Sequence, residues 1–129
     1  MSATDRDEHA FVASLPTDLY IAGEWRAAST GDRFDVIDPA TEKVLARVAD
    51  ASVADGESAL AAAHAAQHEW GRTAPRERAE ILRGAFDLVT ARADDFALAM
   101  TLEMGKPLAE ARGEVAYGAE FLRWFSEEA

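Results

Sequence analysis

His64 and His68 are two side chains whose type and spacing could bind a metal ion. They are four residues apart, so on a helix both imidazoles would lie on one face, as in a metal-binding pair. Glu69 is close by, but no further ligand is evident. Because the surrounding segment is rich in alanine and the chain is acidic, we favour exposed imidazoles and predict no metal site.

Glu103 and Lys106 form a second charged pair, within the segment Glu-Met-Gly-Lys-Pro. Either group could act in acid–base catalysis, but a structural role is favoured. Gly105 suits the left-handed end of one helix, and Pro107 suits the first turn of the next. Because the helix dipole opposes a carboxylate at a C-terminus, Glu103 needs a partner, which Lys106 or the next helix could supply. We therefore predict a structural joint at residues 103–107.

The helix after this joint is apolar over most of its circumference. Between Val115 and Phe125 nearly every residue is apolar or small, and the charges of Glu120, Arg123 and Glu127 form one stripe. Such a helix is expected to be covered on several sides, and little of the chain remains to cover it. We therefore expect the chain to be part of a longer polypeptide.

The elements before the joint are predicted from turn residues and periodicity. Residues 1–18 are predicted to be a flexible arm, residues 19–50 to form two β-ribbons, and residues 52–129 to form about four helices. Ala22-Gly23 is the predicted turn of the first ribbon, and Asp38-Pro39 begins the turn of the second.

Capping residues and apolar spacing place the helices. Ser52 is the predicted cap of a helix that Gly71 ends, with Asp55 at the capping-box position. The inner face of this helix is predicted to contain Leu60, Ala63 and Trp70. A second helix begins near Pro75. Its predicted inner face contains Ala79, Leu82, Ala85, Phe86 and Val89. Asp94 is the predicted cap of the helix that leads to the joint.

Composition excludes several classes of function. The net charge of −11 disfavours a nucleic-acid partner and an anionic membrane surface. No apolar run reaches the roughly 20 residues of a membrane span, and the N-terminus lacks the apolar region of a secretory signal. We therefore expect a cytoplasmic protein. The sequence contains no cysteine, which excludes disulfides, thiolate metal sites and a thiol nucleophile within this chain.

Several motifs, in a fixed order, resemble one enzyme family. They are Leu19-Tyr-Ile-Ala-Gly-Glu-Trp25, Asp38-Pro-Ala-Thr41, Arg78-Ala-Glu-Ile-Leu82, Glu103-Met-Gly-Lys-Pro107 with its continuation to Tyr117, and Phe121-Leu-Arg-Trp-Phe-Ser-Glu-Glu128. None is specific alone, but their order and spacing resemble the N-terminal region of the NAD(P)-dependent aldehyde dehydrogenase superfamily, and most of all its succinate-semialdehyde dehydrogenases. The resemblance covers about residues 19–128, and members of that family are several times longer.

The resemblance implies an incomplete α/β fold, the opening part of a cofactor-binding domain. Aldehyde oxidation needs a thiolate nucleophile, oxyanion donors and a general base. By resemblance, the family's catalytic Cys, its base Glu, its oxyanion Asn and its Gly-rich NAD or NADP loop all lie beyond residue 129. The resemblance thus places no catalytic or cofactor-binding residue in this chain, which alone is expected to bind no cofactor and turn over no aldehyde. The implied partners are the rest of the polypeptide, a small aldehyde and further subunits of a homo-oligomer.

By the same resemblance, the last helix borders the aldehyde entry tunnel. Tyr117 and Phe121 are then candidates for the tunnel wall, with Gly118 leaving room. The alternative is that the two aromatic side chains belong to a core. A different class of function is also open: a free-standing, non-catalytic helical module that binds a partner protein through the apolar helix 107–128.

Overall fold

The structure is a computed structural model that describes residues 7–129. It divides into two compact units, Met1–His64 and Ala65–Ala129, which are described separately. The elements are α1 (Glu8–Ala13), β1 (Leu19–Ile21), β2 (Glu24–Arg26), β3 (Arg33–Asp38), β4 (Lys43–Ala49), α2 (Val53–Arg72), α3 (Pro75–Ala91), α4 (Ala93–Met104) and α5 (Leu108–Glu128). The mixed α/β class is confirmed, with two β-ribbons before the main helices.

The first ribbon pairs β1 with β2 through a two-residue turn. Ala22 (φ 56°) and Gly23 (φ 85°) are both left-handed, the backbone of a type I′ turn, which matches the twist of the flanking strands. Tyr20 lies opposite Trp25, and their ring centroids are 5.0 Å apart. Because Ala22 carries a Cβ in this conformation, its backbone is strained.

The second ribbon pairs β3 with β4 around the predicted Asp38-Pro39 turn. The Asp38 carboxylate accepts hydrogen bonds from the Ala40 N–H at 2.8 Å and the Thr41 hydroxyl at 2.7 Å. These two bonds, the hydroxyl's first, lower the pKa of Asp38. The pairing is irregular between Val36 and Ile37.

Arg33 connects this ribbon to the segment before β1. Its guanidinium donates to the Asp18 carboxylate at 2.8 Å, to the Thr17 hydroxyl at 2.7 Å and to the Arg47 carbonyl at 3.0 Å. The Thr17 carbonyl in turn accepts from the Ala49 N–H at 2.8 Å. The Arg33 side chain thereby connects β3 with two other segments, the residues before β1 and strand β4.

Asp55 connects two segments in a similar way at the start of α2. The Ser52 hydroxyl accepts from the Asp55 N–H at 3.2 Å, and the buried Asp55 carboxylate accepts from the Ser52 N–H at 2.9 Å. The predicted capping box is therefore confirmed. Asp55 also accepts from the Ser29 N–H and hydroxyl. The Ser52 and Ser29 N–H groups are the main reason that the pKa of Asp55 falls to about 2.

Two predictions for α2 are wrong. The helix continues through Gly71 to Arg72, because glycine in a last turn does not itself break helical hydrogen bonds. The predicted inner face is not buried: Leu60 is 71% exposed, and Ala63 and Trp70 are also exposed. An alanine-rich helix buries little apolar area per turn, so its spacing alone could not identify a packed face.

The second unit is built by α3 and α4 packing on α5. The predicted face of α3 is confirmed, since its five residues are all partly buried. At the centre, Ala97 and Ala111 are fully buried with Val115, and Val89 and Met100 pack around them. These small side chains allow the helix backbones to approach closely.

Two helix starts also differ from the sequence analysis. Part of the predicted arm forms α1, because the Asp7 carboxylate accepts from the His9 and Ala10 N–H groups. Residues 1–6 lie outside the described residues, so the flexibility of the arm stays a prediction. Asp94 does not cap α4, which begins at Ala93. None of the helices within residues 7–129 is both long enough and apolar enough to cross a membrane.

Asn at position 22 should stabilise the chain, because asparagine tolerates the left-handed conformation better than alanine. We expect Ala22→Asn to raise the free energy of unfolding by roughly 0.5–1 kcal/mol, measured by urea denaturation. Ala27→Asn, at an exposed position with ordinary φ, is the control and should give no gain. A loss of stability in Ala22→Asn would contradict the turn assignment.

The lowered pKa of Asp55 predicts how stability depends on pH. Its carboxyl binds a proton more weakly in the folded chain, at about 2, than in the unfolded chain, at about 3.9. The stabilisation is therefore present above the unfolded value and is lost as pH falls through the folded value. We expect Asp55→Asn to be less stable at pH 7 and to show a flatter pH dependence between about pH 5 and 2. Asp50→Asn, an exposed neighbour, should keep the wild-type slope; equal slopes in all three proteins would refute the prediction.

Candidate functional site

Helix α5 carries apolar side chains on two opposite sides. One side is the stripe that packs on α3 and α4, with buried Ala111, Val115 and Ala119. The other side, which we call the aromatic face, is open. Its members and their exposures are Tyr117 (68%), Phe121 (50%), Trp124 (60%) and Phe125 (56%). Both stripes follow from spacings of three and four residues on a 3.6-residue helix.

The aromatic face forms a shallow apolar depression. The rings of Tyr117 and Phe121 meet edge to face, with centroids 5.2 Å apart at 90°, an arrangement that aromatic pairs prefer. Together with Glu120, Trp124 and Phe125 they line a depression of about 330 Å³. That volume is at the lower end of small-molecule sites.

A ladder of charges borders the aromatic face. Arg123 donates to Glu120 at 2.6 Å and to Glu127 at 3.2 Å. The hydrogen bond to Glu120 and the charges of both glutamates raise the pKa of Arg123, and the bond from Arg123 lowers the pKa of Glu120. Because two carboxylates already surround Arg123, it is a poor receptor for a further anion.

Gly118 does not share this depression with Tyr117 and Phe121. It lines a second apolar hollow between α3, α4 and α5, where Val89, Met100 and Leu122 are among its neighbours. A Cβ built at Gly118 would meet no atom within 4 Å. Of the three residues predicted to line one cavity, the structure brings together only the two aromatic ones.

The predicted joint is present, with different charge pairing. Gly105 is left-handed (φ 76°), and its N–H donates to the Thr101 carbonyl at 2.9 Å. Pro107 immediately precedes α5 rather than lying in its first turn. Lys106 forms an ion pair with Glu114 and not with Glu103, for which Lys106 and the next helix were the two expected partners. A lysine just before a helix can reach the second turn, but no sequence signal selected Glu114 over Glu103.

Two further expectations concern the core and the metal pair. Because the rings of Tyr117 and Phe121 are exposed, they do not belong to the core that the described residues form.

His64 and His68 are both exposed, and no three His, Asp or Glu side chains in residues 7–129 are grouped so that they could hold a metal ion. Trp124 and Phe125 also belong to the aromatic face, although the sequence predicted only that they are apolar and not that they line a site.

Comparison with known proteins gives one consistent result. The family described as "Aldehyde dehydrogenase family" matches residues 25–129. A succinate-semialdehyde dehydrogenase of Paenarthrobacter nicotinovorans is 76% identical over 85 residues, which are 66% of this chain and 19% of that protein. A 3-sulfolactaldehyde dehydrogenase of Pseudomonas putida is 43% identical over 115 residues, 89% of this chain and 24% of that protein.

Solved structures are similar to this chain as well. The crystal structure of succinate-semialdehyde dehydrogenase from Burkholderia pseudomallei superposes with a TM-score of 0.85 at 50% sequence identity, covering 88% of this chain and 24% of that one. This chain therefore spans about a fifth to a quarter of the length of the proteins it matches.

The open aromatic face predicts self-association of the isolated chain. Each exposed large apolar side chain leaves roughly 1.5–3 kcal/mol of burial unrealised. We expect the sedimentation coefficient to rise with concentration, and Phe121→Ser with Trp124→Ser to weaken association at least about tenfold. Phe34→Ser, which removes an equally exposed ring from β3, is the control. A sharp monomer at every concentration, with strong exchange protection across residues 115–125, would contradict the prediction.

Proposed function

Because this chain belongs to the aldehyde dehydrogenase family, we propose that it is the N-terminal portion of an NAD(P)-dependent enzyme that oxidises an aldehyde to the carboxylic acid. The observation that carries the proposal is the family match over residues 25–129 in a chain much shorter than its relatives. The exposed aromatic face is consistent with it, since α5 has an apolar surface left for further polypeptide or substrate.

The residues needed for the reaction are assigned to the rest of the polypeptide. The sequence has no cysteine, so the thiolate that attacks the aldehyde must come from elsewhere. NAD or NADP binding needs backbone N–H groups at a helix start after a strand. Here both β-ribbons are antiparallel. Among the described elements only α2 directly follows a strand, and the connection from β4, residues 50–52, contains no glycine. The isolated chain is therefore inactive and binds no cofactor in this proposal.

Succinic semialdehyde is the proposed substrate. The Paenarthrobacter relative, which is named for it, is far more similar than the relative named for 3-sulfolactaldehyde. Both names describe a small aldehyde with an anionic group at its other end. Since Arg123 is already held by Glu120 and Glu127, the receptor for that anion is assigned to residues outside this chain.

The aromatic face is proposed as one wall of the path by which the aldehyde enters. Tyr117 and Phe121 form that wall, because their rings are adjacent, exposed and apolar. Gly118 borders the neighbouring hollow rather than the depression that these rings line. The full-length enzyme is proposed to be a cytoplasmic homo-oligomer, with the remainder of the same polypeptide covering the rest of α5.

A second function is favoured by the same exposed face: a non-catalytic helical module that binds a partner protein through α5. The coding sequence beyond Ala129 distinguishes the two. A continuation with a cysteine and a strand, Gly-rich loop and helix supports the enzyme. A stop codon followed by an unrelated gene supports the module.

Kinetics of the full-length protein test the proposed wall. Phe121→Ala should change KM for long aldehydes relative to short ones by several-fold, about 1 kcal/mol of contact energy, and leave the thermal stability nearly unchanged. Phe34→Ala is the matched control on β3. Lost stability with unchanged kinetics in Phe121→Ala would refute the proposal that Phe121 is part of the wall.

A separate assay tests where the reacting groups lie. Nicotinamide reduction by the isolated 129-residue chain, with NAD or NADP and succinic semialdehyde, would refute the proposal that they lie elsewhere.

A further inference from the structure

The packed side of α5 does little to fix how the helix is rotated about its own axis. Its buried residues are small or medium-sized, namely Ala111, Val115, Ala119 and Ser126, and the fully buried Ala97 of α4 belongs to the same cluster as Ala111 and Val115. Helices hold a rotational setting when large side chains interlock in grooves. Here none of the large side chains among residues 7–129 is fully buried, so polar contacts outside the core also contribute to the rotational setting of α5.

Two ion pairs supply that restraint in the first two turns. Arg112 donates to Asp94 of α4 at 2.8 Å, and Glu114 pairs with Lys106 of the joint. Since two residues correspond to about 200° on a helix, Arg112 and Glu114 lie on nearly opposite sides of α5. No side chain caps the start of α5, so these pairs are the polar side-chain contacts that hold this end within the part of the chain that the structure describes.

Rotation of α5 would move the aromatic face directly. Tyr117 and Phe121 follow Glu114 by three and seven residues, so they lie on the side that Lys106 restrains. At a side-chain radius of about 5–6 Å, a rotation of about 10° displaces a ring by about 1 Å. A displacement of that size changes the apolar contacts between the wall and a long aldehyde, and one methylene more or less in such a contact is worth about 10–200-fold in discrimination between substrates.

We propose that Lys106 is a positioning residue, which sets the rotation of α5, and thereby the aromatic wall of the aldehyde path, through its ion pair with Glu114. This inference rests on the proposed function. Lys106 does not touch the substrate in this account. Its contribution to folding is small because the pair is partly solvent-accessible, with Lys106 24% and Glu114 50% exposed.

The test uses the full-length protein with Lys106→Met, which removes the charge and keeps the length of the side chain. We expect the ratio of KM for long and short aldehydes to change by about tenfold, the lower end of that range, with Tm and kcat for the smallest aldehyde close to wild type. Lys106→Arg should restore the ratio. Lys43→Met removes the only other lysine of this chain and should leave the ratio unchanged. Glu114→Gln removes the same pair from its other end and replaces Lys106→Met if that variant does not fold.

The packing of α5 on α4 can also be measured directly in the 129-residue chain, without catalysis. The NOE between the methyl groups of Ala97 and Val115 should weaken in Lys106→Met and recover in Lys106→Arg.

The outcomes separate the two proposals. If Phe121→Ala changes the KM ratio but Lys106→Met and Glu114→Gln do not, the positioning role is wrong and the proposed function stands. If Phe121→Ala also leaves the ratio unchanged, the aromatic wall itself is wrong. If Lys106→Arg behaves like Lys106→Met, the charge is not the cause, and the positioning proposal is overturned.

Discussion

The structure depends on one constraint: a 21-residue helix, α5, has apolar side chains on two opposite sides, and the second unit provides a partner for only one. The packed side is made of small residues, which let α3 and α4 approach closely. The other side keeps four large rings at least half exposed. Burying those rings would release several kcal/mol, and in an aldehyde dehydrogenase that burial is proposed to come from polypeptide and substrate outside this chain.

Polar side chains do the positioning that a larger core would otherwise do. In the first unit, Arg33 donates to groups of two other segments, and Asp55 accepts from Ser29 and Ser52. These contacts hold the second ribbon and the start of α2 in place. In the second unit, the pairs Arg112–Asp94 and Lys106–Glu114 flank the start of α5. A segment with few buried large residues thus obtains its geometry from directional contacts, whose individual energies are small.

The sequence predicted what local chemistry determines. The turns at Ala22-Gly23 and Asp38-Pro39, the capping box of Ser52 and the helix end at Gly105 were all recognisable because each requires particular residue types at fixed spacing. Long-range choices could not be predicted: opposite charge alone did not say that Lys106 pairs with Glu114, and helical spacing alone did not say that Gly118 opens into a different hollow from Phe121. The family could be recognised for the same reason as the turns, from several local motifs in order.

The exposure of the aromatic face in two forms of the protein tests the central claim most directly. Hydroxyl-radical labelling of Tyr117, Phe121, Trp124 and Phe125 can be compared between the 129-residue chain, diluted until it is monomeric, and the full-length protein. The account predicts heavy labelling of all four rings in the short chain and strong protection of Trp124 and Phe125 in the long one. Equal labelling in both proteins would show that nothing else covers α5 and would contradict it.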